Sequence, residues 1–112
     1  MLPHLGAGAG QGIEDAYLLA QLLGDVRTTA DNVEMVLQVY SDVRRPRSQR
    51  ILDHSVRAGL VYDGYGPSGF TKEGLAQDLR EIEGWVKEVY DYTLGNDVAE
   101  AREILAERSV YA

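Results

Sequence analysis

Apolar residues recur along most of this chain at helical spacing. Ile13, Ala16, Tyr17, Leu18, Leu19, Ala20, Leu22 and Leu23 form a dense run that predicts a helix from about Gly12 to Leu23. Its apolar residues cover most of the circumference, which predicts burial on all sides. Gly24 and Asp25 end it. A second helix is predicted to start near Asp31, because Asp31 with Glu34 three residues on matches a capping box. Val33, Val36, Leu37, Tyr40 and Val43 then give a one-sided stripe. Pro46 lacks an N–H and crowds the turn before it, so a kink or restart is expected there. A third helical stretch, about Arg47 to Gly59, carries Ile51, Leu52 and Val56. The glycines and Pro67 between Gly59 and Gly69 mark a loop. A fourth helix, roughly Thr71 to Tyr90, repeats Leu75, Leu79, Ile82, Val86 and Val89, with Trp85 beside them and Glu81, Lys87 and Glu88 opposite. Gly84 inside it suggests a close crossing by another element. Asp97 with Glu100 matches a further capping box, and Val98, Ala101, Ile104 and Leu105 form the apolar face of a short last helix. The pattern is mainly α, with four to five helices in a single unit over residues 1–112.

Composition narrows the classes of function. A chain of 112 residues is one domain's worth, or a piece of a larger one. Its 11 basic and 18 acidic residues give a net charge of −7, which argues against nucleic acid as a partner. It has no cysteine, so disulfides and thiolate chemistry are unavailable. No apolar run approaches the ~20 residues of a membrane span, and no basic segment precedes an apolar leader. These features read as a cytoplasmic protein with no membrane partner.

The least ordinary stretch is the first sixteen residues. After Pro3 and His4, glycine falls at every second position: Gly6, Gly8, Gly10 and Gly12. These glycines sit at the N-terminus of the first helix. Such an end presents unpaired N–H groups and roughly half a positive charge, a cradle for a ligand rich in acceptors. The spacing is not the dinucleotide Gly-x-Gly-x-x-Gly, since the third glycine would fall at Gln11 or Ile13. No lysine precedes Lys72, so it is not a nucleoside triphosphate loop. Elsewhere, Arg44, Arg45 and Arg47 read as a solvated face with Asp42 and Asp53 as acidic partners. His54 is a lone histidine without metal-ligand spacing and reads as structural; no metal site is expected. Tyr62 and Tyr65 read as aromatic loop packing.

The run from Pro3 through Gly6, Gly8, Gly10 and Gly12 to Asp15 and Ala16, followed by a leucine- and alanine-rich helix, resembles the second flavin-contacting segment of the FAD-dependent aromatic hydroxylases. The salicylate-hydroxylase-like enzymes are the nearest subgroup. The arginine and proline joint at 44–47, and more weakly the segment from Trp85 to the closing helix, fit the same family, so the resemblance covers nearly the whole chain. It implies that this turn, residues 1–24 with its buried helix, wraps the flavin ring, and that residues 31–112 are the C-terminal helical region. Gly6 and Gly8 would admit the ring closely. The N–H groups of Ala9 and Gly10, with Gln11 beside them, would face flavin N1 and the C2 carbonyl. Pro3, through its carbonyl, and His4, as an acid or base, would border the substrate. Asp15 would brace the turn. Many family members carry Asn where Gly10 stands, so only a backbone contact carries over at that position.

The family's Gly-x-Gly-x-x-Gly turn, its Asp-Gly motif and its Gly-Asp segment are not found in these residues. The resemblance therefore implies the C-terminal part of a larger enzyme with an α/β FAD-binding fold, with Met1 an internal methionine or the start of a truncated gene. The parent would use FAD, NAD(P)H and oxygen to hydroxylate a small aromatic substrate, with a homodimer one arrangement open to it, and this piece alone would be inactive. The alternatives are a small acidic helical protein-interaction module and a hydroxylase remnant that has lost its chemistry.

Overall fold

The structure, a computed structural model, describes residues 1–112. It is all-helical. A short 3-10 turn, Pro3–Leu5, precedes four helices: α1 (Gly8–Leu23), α2 (Val33–Tyr62), α3 (Lys72–Tyr90) and α4 (Gly95–Glu107). The chain divides into two compact units. The α1/α4 unit comprises Gly10–Arg47 and Thr93–Ala112; the α3 unit comprises Met1–Ala9 and Ser48–Tyr92. α2 is continuous and gives its first half to one and its second half to the other.

The α1/α4 unit is built on Leu18 and Leu22 of α1, Val36, Val39 and Val43 of α2, Val98, Ala101 and Leu105 of α4, and Tyr111. Each large apolar side chain buried here contributes about 1.5–3 kcal/mol. The α2 stripe is rotated from the predicted one, with Val39 buried and Leu37 exposed. α1 starts one turn earlier than its apolar run suggested, taking in Gly8 and Gly10. Burial on all sides is not observed: Gln11, Leu18 and Leu22 are buried, whereas Ile13 is 70% exposed and Tyr17 and Leu23 are open to solvent. Beyond α1, the hydroxyl groups of Thr28 and Tyr111 lie 2.6 Å apart, and Thr28 donates to the Leu22 carbonyl at 2.6 Å. That pairing satisfies an end-of-helix acceptor.

Neither predicted capping box forms. At the start of α2 it is Asn32 that caps: its carbonyl accepts from the Val36 N–H at 3.1 Å. Its side chain accepts from Thr29 N–H at 2.7 Å and donates to the Arg27 carbonyl at 2.9 Å. α4 begins at Gly95 without a side-chain cap, and Asp97 is buried and engaged elsewhere. The expected break at Pro46 is absent. α2 runs through the proline, giving up one backbone hydrogen bond, and the predicted third helix is its second half. Val43 and Ile51 are buried on either side of Pro46, so tertiary packing outweighs the local preference.

The α3 unit packs Leu5, Ala7, Ile51, Ala58, Val61 and Ile82, with Trp85, Val86 and Val89 partly buried against them. Thr71 caps α3, its Oγ1 accepting from the Gly74 N–H at 3.0 Å. Gly74 is buried because the Ser68 carbonyl occupies the place a Cβ would take. Leu75 and Leu79, assigned to the apolar face from their spacing, are exposed; the inward positions are Gly74, Asp78 and Ile82. No element crosses at Gly84, where a Cβ would meet nothing. His54 stacks on Trp85 with ring centroids 4.7 Å apart and planes 9° from parallel, as a structural histidine would.

Candidate functional site

The glycine-rich segment folds as a turn leading into a helix. Gly6 has φ +62°, a left-handed conformation that favours glycine, and its N–H donates to the Pro3 carbonyl at 3.0 Å. The Pro3 carbonyl thus closes the turn. His4 is half-buried, with its ring 5.9 Å from that of Tyr62. It lies against Gly59, where a Cβ would come within 2.6 Å of the His4 Cδ2.

α1 then opens with Gly8, Ala9, Gly10 and Gln11. The first four N–H groups of any helix have no partner inside it. Here none finds a backbone acceptor elsewhere, and no acidic residue stands in the first turn. Gly8, Ala9 and Gly10 are exposed, and a Cβ built on Gly8, Gly10 or Gly12 would meet no atom within 4 Å. Three helical glycines each cost up to about 1 kcal/mol relative to alanine, and no contact within the chain requires their bareness. The result is an open row of donors at a positive helix end.

Gln11 differs from its neighbours. It is buried, and its side chain turns inward to a cluster in the α1/α4 unit. Arg44, only 3% exposed, sits at the centre. Its Nε donates to Asp15 Oδ1 at 2.7 Å, its Nη1 to Asp97 Oδ2 at 2.7 Å, and its Nη2 to Gln11 Oε1 at 3.1 Å and Glu14 Oε2 at 2.9 Å. Buried Arg47 forks onto both oxygens of Glu14 at 2.9 Å. Burial acts to raise the Glu14 carboxyl, but hydrogen bonds from Arg47 and Arg44 and their charge outweigh it and hold the group below its ordinary value. Burial likewise disfavours charge on Arg44, and the bonds from Asp15, Asp97 and Glu14 reverse that and raise it. The solvated arginine face expected from the sequence is therefore corrected for Arg44 and Arg47. Only Arg45 is exposed, donating to Ser41 Oγ. Asp15 faces Arg44 and accepts no loop N–H.

The sequence reading missed this cluster. The one available signal was that Gln11 and Glu14 share the helical face of Leu18 and Leu22, where solvated residues do not belong. A cavity of about 350 Å³ in the α3 unit is lined by Leu60, Val61, Tyr65 and Trp85, with Arg57 and Glu81 beside them. None of the residues singled out from the sequence as a site lines it. No group of three or more acidic or histidine side chains is placed to hold a metal, and no helix is long and apolar enough to cross a membrane.

No protein-family model matches the chain. Individual relatives do. Over 103 residues it is 44% identical to a salicylate hydroxylase of Pseudomonas putida, covering 91% of this chain and 23% of that enzyme. It is 38% identical over 92 residues to the FAD-dependent monooxygenase SAT7 of Stachybotrys chartarum, covering 80% of this chain and 19% of the relative. An FAD-dependent monooxygenase of Aspergillus terreus is 38% identical over 106 residues, covering 89% and 24%. The chain belongs with the FAD-dependent monooxygenases, as the counterpart of a C-terminal portion of such an enzyme. It spans under a quarter of the length of these monooxygenases. An all-helical piece is what such a portion supplies.

Proposed function

We propose that this chain contributes the flavin-contacting helix end of an FAD-dependent monooxygenase that hydroxylates a small aromatic substrate with NAD(P)H and oxygen in the cytoplasm. One observation carries the reading: the N–H groups of Gly8, Ala9 and Gly10 find no backbone acceptor, and Gly8 and Gly10 have empty space where side chains would be. The donor set suits the acceptor-rich pyrimidine edge of a flavin, and the helix end favours the negative charge that the reduced ring carries there. When bound, the flavin supplies the redox chemistry by which the nicotinamide's electrons activate oxygen.

The chain's own residues bind and orient. Ala9 and Gly10 would hold the flavin through their N–H groups, Gly6 and Gly8 would let the ring approach, and Gln11 would contribute through its backbone. His4 and the Pro3 carbonyl border the substrate. Residues 1–24 form the flavin-contacting part and residues 31–112 the helical remainder. Exposed Ile13 and Tyr17 would be covered by the rest of the enzyme, so the piece alone is inactive.

The test is a hybrid in which this chain replaces the matching segment of the Pseudomonas putida salicylate hydroxylase. The hybrid is expected to retain FAD and to oxidise NAD(P)H in the presence of salicylate. Gly10→Val is expected to weaken FAD binding about tenfold, because its branched side chain occupies the open space beside the Gly10 N–H that the ring would enter. A folded hybrid without FAD, or a Gly10→Val variant that binds as tightly as its parent, overturns the proposal. The first result favours an interaction module or a remnant.

A further inference from the structure

We infer that Arg44 is a positioning residue for the flavin-binding end of α1, an inference that rests on the function proposed above. Its single guanidinium reaches three α1 side chains, those of Gln11, Glu14 and Asp15, and one of α4, that of Asp97. These α1 residues are the fourth, seventh and eighth of the helix, directly behind the free donors of Gly8, Ala9 and Gly10. A helix that opens on three glycines in five residues frays when left alone. Arg44 fixes that opening to a helix whose neighbouring Val39 and Val43 are buried in the core.

The same contacts set the charge at the helix end. Glu14 and Asp15 place two carboxylates close to an N-terminus whose value lies in being positive. Arg44 pairs with both, so the end keeps its favourable potential for an electron-rich ring. Arg47 also pairs with Glu14. A lysine would keep the charge but lacks the planar fork that engages four acceptors.

The experiment uses the FAD-loaded hybrid enzyme described above, so that failure to take up FAD at all counts against the flavin reading and is seen first. Arg44→Met, Arg44→Lys and Gln11→Leu are compared with Val39→Ala, a core change that lowers the melting temperature without touching the cluster. The readouts are FAD dissociation constant, flavin midpoint potential and melting temperature. Arg44→Met is expected to weaken FAD binding by about tenfold or more and to make the midpoint potential more negative, because a positive charge near the reduced ring is lost. Arg44→Lys is expected to keep the potential and still lose affinity. Gln11→Leu, which leaves all three ion pairs intact and so preserves folding, is expected to lose FAD affinity several-fold with an unchanged potential. Val39→Ala is expected to change neither flavin property. Affinity and potential that track melting temperature alone across all four variants, or full affinity in Gln11→Leu, would overturn the inference.

Discussion

Two buried ionisable side chains sit in the two units of this molecule, and they are handled in opposite ways. Arg44 in the α1/α4 unit is enclosed by four acceptors, three of them carboxylates. Asp78 in the α3 unit is 1% exposed, packs beneath Gly66, and neither of its oxygens has a partner. A buried charge is expensive unless paired and hydrogen-bonded. The first site converts that expense into geometry, since four bonds from one planar group admit a single arrangement of α1, α2 and α4. The second gains nothing of the kind within this chain. Burial alone therefore does not mark a residue as important to the fold; the completeness of its partners does.

The largest effect expected from this contrast is at Arg44. Arg44→Met should destabilise the α1/α4 unit by about 3–5 kcal/mol, because it removes the one cation that bridges Glu14, Asp15 and Asp97. Urea unfolding measures it. Adding Asp97→Asn to Arg44→Met should recover part of the loss, and strict additivity of the two changes would show that the pair is not coupled.

A change of opposite sign is expected at Asp78. Asp78→Asn keeps the shape and removes an ionisable group that has no partner, so it should stabilise the α3 unit by roughly 1 kcal/mol. Thermal melting followed by fluorescence of Trp85, the chain's one tryptophan, reports this unit directly. A destabilised Asp78→Asn variant would mean that the carboxylate is used after all, and the contrast with Arg44 would fail.

The same contrast explains what could be read from the sequence. Val98, Ala101 and Leu105 were legible because helical spacing directly reports which face is apolar, whereas the apolar run of α1 marked a helix without marking its buried face. The start of α3 near Thr71 was legible from its apolar repeat, and the structure shows that the Thr71 hydroxyl caps it. Pro46 misled, since its local preference was outweighed by buried Val43 and Ile51 on both sides. Asp97 misled for a different reason. Its spacing to Glu100 suits a cap, but its partner Arg44 lies 53 residues away, and no local pattern encodes such a pairing. In the candidate site, the glycines and their helix were legible, while the start of α1 at Gly8 was not. Of that extra turn only Gln11 bonds to the Arg44 cluster, a contact that the propensities of its own residues do not announce.

The smallest expected effect separates the two units by pH. In the α3 unit, burial lowers His54 below its ordinary 6.5, although Glu88 nearby acts to raise it. Between the ordinary and the lowered value the unfolded chain binds more protons, so stability is full above about pH 6.5 and falls as pH drops through the folded value. In the α1/α4 unit, burial pulls Glu14 upward, and Arg47 and Arg44 pull it further down, below 4.5. Its contribution is present above about pH 4.5 and is lost only as pH falls through that lower folded value. Acidification should therefore weaken the α3 unit first and the α1/α4 unit second. His54→Phe, which keeps a ring on Trp85, should flatten the dependence just below pH 6.5, and Glu14→Gln should flatten only the part below about 4.5. An unchanged upper window in His54→Phe would assign that window to another group and remove this distinction between the units.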